Sequence, residues 1–303
     1  MNNENYIKNL SVPNKKIDVV LDTDTFNEID DQYAIAYLLK SKEKLCTKAL
    51  YAAPFSRVGS GTPEDGMEKS YDEILKLLSL LNEKVPTFKG SKEYLKDEKT
   101  PLLSPAALDL AERANNYSPE NPLYVVAIGA ITNVASAILL NPKIIDNTVV
   151  VWLGGHAYHY TDSIEFNLKQ DIAAARVVFS SGVPLIQLPC RGVVSEFTLS
   201  KPDLNEWLIG KNDLCDYLAK ITIEHVEEYE KAPYWAKVIW DVTAVAWLLN
   251  DNDAFMKSRL VTAPLPSYDG HYTQIPDNHL MSYVYYIKRN ELMTDLITKL
   301  TAK

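Results

Sequence analysis

Residues 19–39 read VVLDTDTFNEIDDQYAIAYLL. An unbroken apolar run ends in Asp22, Thr23 and Asp24. Glu28, Asp30 and Asp31 follow within one short turn, and apolar positions then return with helical spacing. A continuous hydrophobic run is the signature of a strand buried on both faces. Acidic residues that open a helix meet the positive end of its dipole. The segment therefore reads as strand, turn and helix, with five carboxylates gathered where they repel one another.

Working outward, the same alternation repeats. Further strands are expected at 49–53 (ALYAA), 123–128 (LYVVAI), 148–153 (TVVVWL) and 183–188 (VPLIQL). Helical patterns lie between them at 30–41, 66–81, 104–114, 132–140 and 171–179. Strands alternating with helices imply right-handed βαβ units, hence an α/β fold with a doubly wound, mostly parallel central sheet. Beyond about residue 200 the pattern becomes mostly helical, with a late strand near SRLVTAP and a helix at about 290–301. No repeat or linker divides the chain, so residues 1–303 are expected to form one domain. In such a sheet, ligands bind beyond the C-terminal ends of the strands, and the acidic turn lies at such an end.

Composition narrows the function. At 47% hydrophobic residues the chain can build a large core, and its net charge of −9 is wrong for a nucleic-acid surface, which needs clustered Lys and Arg. No apolar run is long enough to span a membrane. The N-terminus lacks the apolar region of a secretory signal. Cys46, Cys190 and Cys215 are odd in number and not motif-spaced, as expected of free thiols in a reducing cytoplasm. Phosphate-binding glycine loops, GxSxG and HExxH are absent; GSGTPEDG (59–66) reads as a flexible loop.

Carboxylates packed at one place share protons or hold a cation. An all-oxygen set suits a hard ion, Ca²⁺ or Mg²⁺, while a capped helix start explains only some of them. Asp22 stands apart, because its side chain can point into the sheet. A strand followed by DxD also resembles the first motif of haloacid-dehalogenase-type phosphatases, with Asp22 as nucleophile, Asp24 as acid and Mg²⁺. Phe26 departs from that motif, and its later Lys and acidic-pair blocks are missing.

Further blocks, in order, carry a second resemblance. VVAIGAITNVASAI, WLGGHAYHYTDSIEFNLKQDIAAARVVF and VIWDVTAVAWLL follow DTDTFNEIDD as similar segments follow DxDxGxDD in nucleoside hydrolases of the inosine-uridine-preferring type. Here the opening motif is two residues longer, as in a bacterial branch of that family. The resemblance spans most of residues 15–250. It implies Ca²⁺-dependent hydrolysis of the N-glycosidic bond of ribonucleosides or related N-ribosides. The metal ligands it implies are Asp24, Asp31, Asp241 and the backbone carbonyl of Thr132. Asp24 is then also the general base on the metal-held water. Asp30 would accept from the ribose 2′-OH, and Glu165 and Asn167 would grip other ribose hydroxyls. For the last two, a loop cap or turn is the plainer alternative. The resemblance also implies a homodimer or homotetramer acting on a small nucleoside-like substrate.

Three positions depart from the family pattern. Trp240 stands where many members carry a His before the late Asp, either stacking on the base or packing in the core. APFSRVGS (53–60) replaces a segment expected to approach the substrate, with Arg57 near the pocket mouth or merely on the surface. His159 aligns with a ribose-binding Asn. Two other functions stay open: a Mg²⁺ phosphatase using Asp22, and a nucleoside- or ribose-binding relative without turnover.

Overall fold

The computed structural model describes residues 1–57 and 61–302. Its centre is an eight-stranded sheet made of β1 (Ile17–Thr23), β2 (Leu45–Ala52), β3 (Thr87–Lys89), β4 (Leu123–Ala127), β5 (Thr148–Leu153), β6 (Leu185–Leu188), β9 (Met256–Thr262) and β12 (Leu280–Ile287). Four short strands lie outside it. β7 (Thr198–Ser200) pairs with β8 (Ala236–Val238), and β10 (Leu265–Pro266) with β11 (Tyr272–Thr273). The sheet order is β3-β2-β1-β4-β5-β6-β12-β9, parallel throughout except for the antiparallel edge strand β9.

Both faces of the sheet are covered. Val19 and Leu21 of β1, with Val149, Val151 and Leu153 of β5, join one core with the helices Asp30–Leu39, Val242–Leu248 and Arg289–Thr301. The alternate residues Val20, Val150 and Trp152 join a second core with the helices Pro105–Arg113, Thr132–Leu140 and Ile172–Ser180. This two-sided burial explains why the strands read as unbroken apolar runs.

The order also places the site. β1, β2 and β3 run outward in one direction, whereas β4 lies on the other side of β1. The chain thus reverses direction between β1 and β4, and a crevice opens at their C-terminal ends. Asp22 pairs with Ala127 across that boundary, which fixes the acidic turn beside the end of β4.

Three expectations need correcting. The helix expected at 66–81 begins at Pro63, because Thr62 and Asp65 exchange hydrogen bonds in a capping box that closes the first turn. Part of the stretch read as a flexible loop is therefore helix; its residues 59 and 60, like 58–60 of APFSRVGS, lie outside the described residues. The strand expected at 49–53 starts earlier, at Leu45. The third concerns β12 (LMSYVYYI), absent from the sequence reading although it fills the space between β6 and β9. Its buried Ser282 and exposed Tyr285 and Tyr286 break the uninterrupted apolar pattern that marks the other strands.

Candidate active site

The turn after β1 delivers its carboxylates into a cleft. Asp24, Asp30, Asp31 and Asp241 all line it and are all buried. Asp30 and Asp31 open the helix Asp30–Leu39, which is buried along its whole length. Asp241 immediately precedes the helix Val242–Leu248 and donates its backbone N–H to Asp30 Oδ2 at 3.2 Å. One oxygen from each of Asp30, Asp31 and Asp241 lies within 4.8 Å of the others. Asp31 Oδ1 also accepts the Thr23 hydroxyl.

Burial first, and mutual repulsion second, make these groups hard to ionise together. Asp31 is pushed up to about 8 by burial and then by Asp30. Asp30 is pushed up to about 6 by burial, with Lys237 pulling it back. Asp24 and Asp241 are held well above the usual carboxylate range, by burial and then by their acidic neighbours. Among the described residues, Asp24 Oδ2 and Asp30 Oδ1 are buried without a hydrogen-bond partner. Unpaired buried oxygens are costly, and an oxygen-only cluster that lacks donors is completed by protons or by a hard cation. The donor set therefore fits a divalent ion. The tightest trio includes Asp30, to which the family resemblance gives a ribose contact; Asp24 shares the cleft with it.

Asp22 behaves differently. Its Oδ1 accepts from Asn133 Nδ2 at 2.8 Å, it is fully buried, and burial raises it to about 7. It lies behind the cleft, tying β1 to the helix Thr132–Leu140. A nucleophile needs access to its substrate, so the phosphatase reading loses its key residue.

On the opposite wall, Glu165 and Asn167 line the same cleft. Glu165 caps the helix Phe166–Gln170, accepting N–H groups from Asn167 and Leu168, and it also accepts the N–H of Gly155. Asn167 Nδ2 donates to the carbonyls of Ile128 (3.1 Å) and Leu153 (3.0 Å), bridging the ends of β4 and β5. Both residues are thus architectural caps that also face the cleft. Trp240 lines it as well, half-buried, with part of its ring against the core.

Two expected residues are not brought to the cleft. The Thr132 hydroxyl donates to Asp171 Oδ2 at 2.7 Å. As the first residue of its helix, its carbonyl points along the helix axis, toward the residue four positions ahead. The residue of this block that lines the cleft is Ile128, four residues earlier, just past the end of β4, its carbonyl accepting from Asn167. The end of the strand was the sequence signal for it. His159 is exposed, its ring against Tyr160 at 5.1 Å between centroids.

Asn27, Phe166 and Ile128 are cleft residues without a role in the sequence reading, where Glu28 counts only among the acids of the turn. Asn27 and Glu28, within the lengthened turn, line the mouth. Arg57 donates from Nε to Asn27 Oδ1 at 2.8 Å and lies 3.8 Å from Glu28, so it does stand at the mouth. Lys237 of β8 forms an ion pair with Glu28 from the other side.

Comparison with known proteins fits this geometry. Over 259 residues, the chain is 27% identical to the pyrimidine-specific ribonucleoside hydrolase RihA of Enterobacter sp. (strain 638), covering 76% of this chain and 78% of that one. RihA of Escherichia coli O139:H28 is similar to the same degree. Among solved structures, a plant nucleoside hydrolase, PpNRh1, superposes with a TM-score of 0.75 at 21% identity, covering 96% of this chain and all of that one. The purine-preferring ribonucleoside hydrolase from Gardnerella vaginalis superposes with a TM-score of 0.73 at 18% identity over 94% of this chain and 98% of that one; at such identities the likeness speaks for the fold. The model of the inosine-uridine preferring nucleoside hydrolases matches residues 19–280, a span running from β1 through the acidic turn and Asp241 to the start of β12. The chain therefore belongs to the inosine-uridine preferring nucleoside hydrolase family, and it is a hydrolase of N-glycosyl bonds.

Proposed function

We propose that the protein hydrolyses ribonucleosides to free base and ribose in a Ca²⁺-dependent reaction. One observation carries this reading: buried carboxylates with unpaired oxygens share a cleft with Glu165 and Asn167 at the point where the strand order reverses. Asp24, Asp31 and Asp241 would hold the ion, with the Ile128 carbonyl in place of that of Thr132. When bound, such an ion acidifies a water and fixes the ribose beside it. Asp24 takes the proton of the attacking water. Asp30, Glu165 and Asn167 engage the ribose hydroxyls, and the carboxylates' charge favours the positive character that develops on the ring as the C1′–N bond breaks. The resemblance further supports a homodimer or homotetramer. Three unpaired cysteines suit a cytoplasmic setting, and we read the chain as one domain.

The test is release of reducing sugar from a panel of purine and pyrimidine ribonucleosides, with Ca²⁺ and again with a chelator. Chelator-sensitive release is the expected result. Ca²⁺ binding without release from any member of the panel would refute the nucleosidase reading and favour the binding protein without turnover.

Base choice is not inherited from the relatives, whose names run from pyrimidine-specific to purine-preferring. Trp240 and Phe166 are the aromatic residues that line the cleft among the described residues, and we assign Trp240 to stacking on purines. Trp240→Ala is expected to raise KM for purine ribonucleosides by about tenfold, with a smaller change for pyrimidines. A lower melting temperature with an unaltered base profile would show that the indole only packs.

A further inference from the structure

The cleft is narrow. Free space among its lining residues is about 20 Å³, room for about one water, whereas small-molecule sites usually offer roughly 300 Å³ or more. Asn27 and Glu28 of the lengthened turn line it. Glu28 reaches across the mouth to Lys237, whose side chain is only 15% exposed. Lys237 sits on β8, opposite Leu199 of β7, and four residues later the same segment delivers Asp241. On the near side, Arg57 grips the carbonyl and side chain of Asn27 and approaches Glu28. The acidic turn is thereby tied to the β7–β8 arm by the Glu28–Lys237 ion pair, at the edge of the cleft that Glu28 lines.

We propose that Glu28 and Lys237 form a gate across the active-site cleft, which must part before a ribonucleoside reaches the carboxylates. The identity of the ligand rests on the nucleoside-hydrolase reading; the closure does not. Because only the fraction of molecules with the gate open can bind, the apparent affinity of any ligand is reduced by that fraction. Breaking the pair enlarges the fraction. Hydrated cations, being larger than the free space, must pass the same gate.

Two measurements test it, on the wild type, on Lys237→Met and on the charge swap Glu28→Lys with Lys237→Glu. One is stopped-flow uptake of Tb³⁺, a luminescent stand-in for Ca²⁺ sensitised by nearby tryptophan. The other is KM for the best nucleoside of the panel. Lys237→Met is expected to take up Tb³⁺ faster and to lower KM, each by about three- to tenfold, while the swap restores slow uptake. Lys237→Arg, which keeps the pair, controls for folding. Equal uptake rates and equal KM in the wild type and Lys237→Met overturn the gate, and a raised KM would make Lys237 a substrate contact instead. Faster uptake without sugar release in any variant would leave the gate standing and refute the nucleosidase reading.

Discussion

Asp24→Ala is expected to lower turnover by about 10²- to 10⁴-fold, the range that a positioned general base contributes, while the circular dichroism spectrum and melting temperature stay close to wild type. The loss follows from its position. Asp24 lies just past the end of β1 at the reversal of strand order, it is buried, and its Oδ2 has no hydrogen-bond partner among the described residues. An acceptor held ready but unpaired is what a water-derived proton requires. Survival of the fold follows from the same facts. Replacing a buried carboxylate already held well above its ordinary range removes repulsion with Asp31 and Asp30 rather than a supporting bond. Asp22→Asn serves as the contrast. Asp22 is tied to Asn133 behind the cleft, so its amide variant should keep most of the activity. The reverse pattern, a silent Asp24→Ala beside an inactive Asp22→Asn, would sink the assignment and revive the phosphatase chemistry.

The difference between these two aspartates shows what could be read from the sequence. Adjacent carboxylates and a strand ending announced the site, because a strand buried on both faces has an unmistakable apolar run and the residue that ends it must face the crevice. Asp22 lies inside β1 and Asp24 just beyond it; Asp22 stands apart as a side chain able to point into the sheet, and its bond to Asn133 holds it behind the cleft. What local pattern could not supply was registry between distant segments. The resemblance assigns Thr132 to the ligands through its block, yet the residue of that block that lines the cleft is Ile128, just past the end of β4. The His159 loop belongs to a matched block too, but its route carries the imidazole to the surface. Glu28 looked like one more acid in the turn; its role at the mouth depends on Lys237, 209 residues away. β12 was missed for a related reason, since its place between two strands comes from neighbours and not from its own mixed sequence.

The second large effect concerns the cation. At pH 8, Ca²⁺ at about 100 times its dissociation constant is expected to stabilise the protein by about 2.7 kcal/mol over the chelated form, raising the melting temperature by roughly 5 °C for a chain of this size. At pH 5 the gain should nearly vanish. The sign follows from the acid cluster. Asp30 and Asp31 are raised to about 6 and about 8 in the fold, and Asp24 and Asp241 are raised as well. A carboxylate raised on folding contributes stability that is fully present below its unfolded value and is lost as pH climbs through its folded value. The chelated protein therefore weakens between about pH 5 and pH 8, as four buried acids become charged beside one another. A bound divalent ion favours those same charged forms, so it offsets the loss where the loss is greatest, and at low pH protons outcompete it. Exposed acids that shift the other way, such as Asp65 and Asp97, affect both forms alike and cancel in the paired difference. Differential scanning calorimetry with Ca²⁺ and with chelator, at each pH from 5 to 8, measures that difference directly. A gain that is flat with pH, or larger in acid, would mean that the ion binds somewhere other than these four carboxylates. Asp31→Asn with Asp241→Asn should then leave the gain intact; if the cluster is the site, the double variant abolishes it.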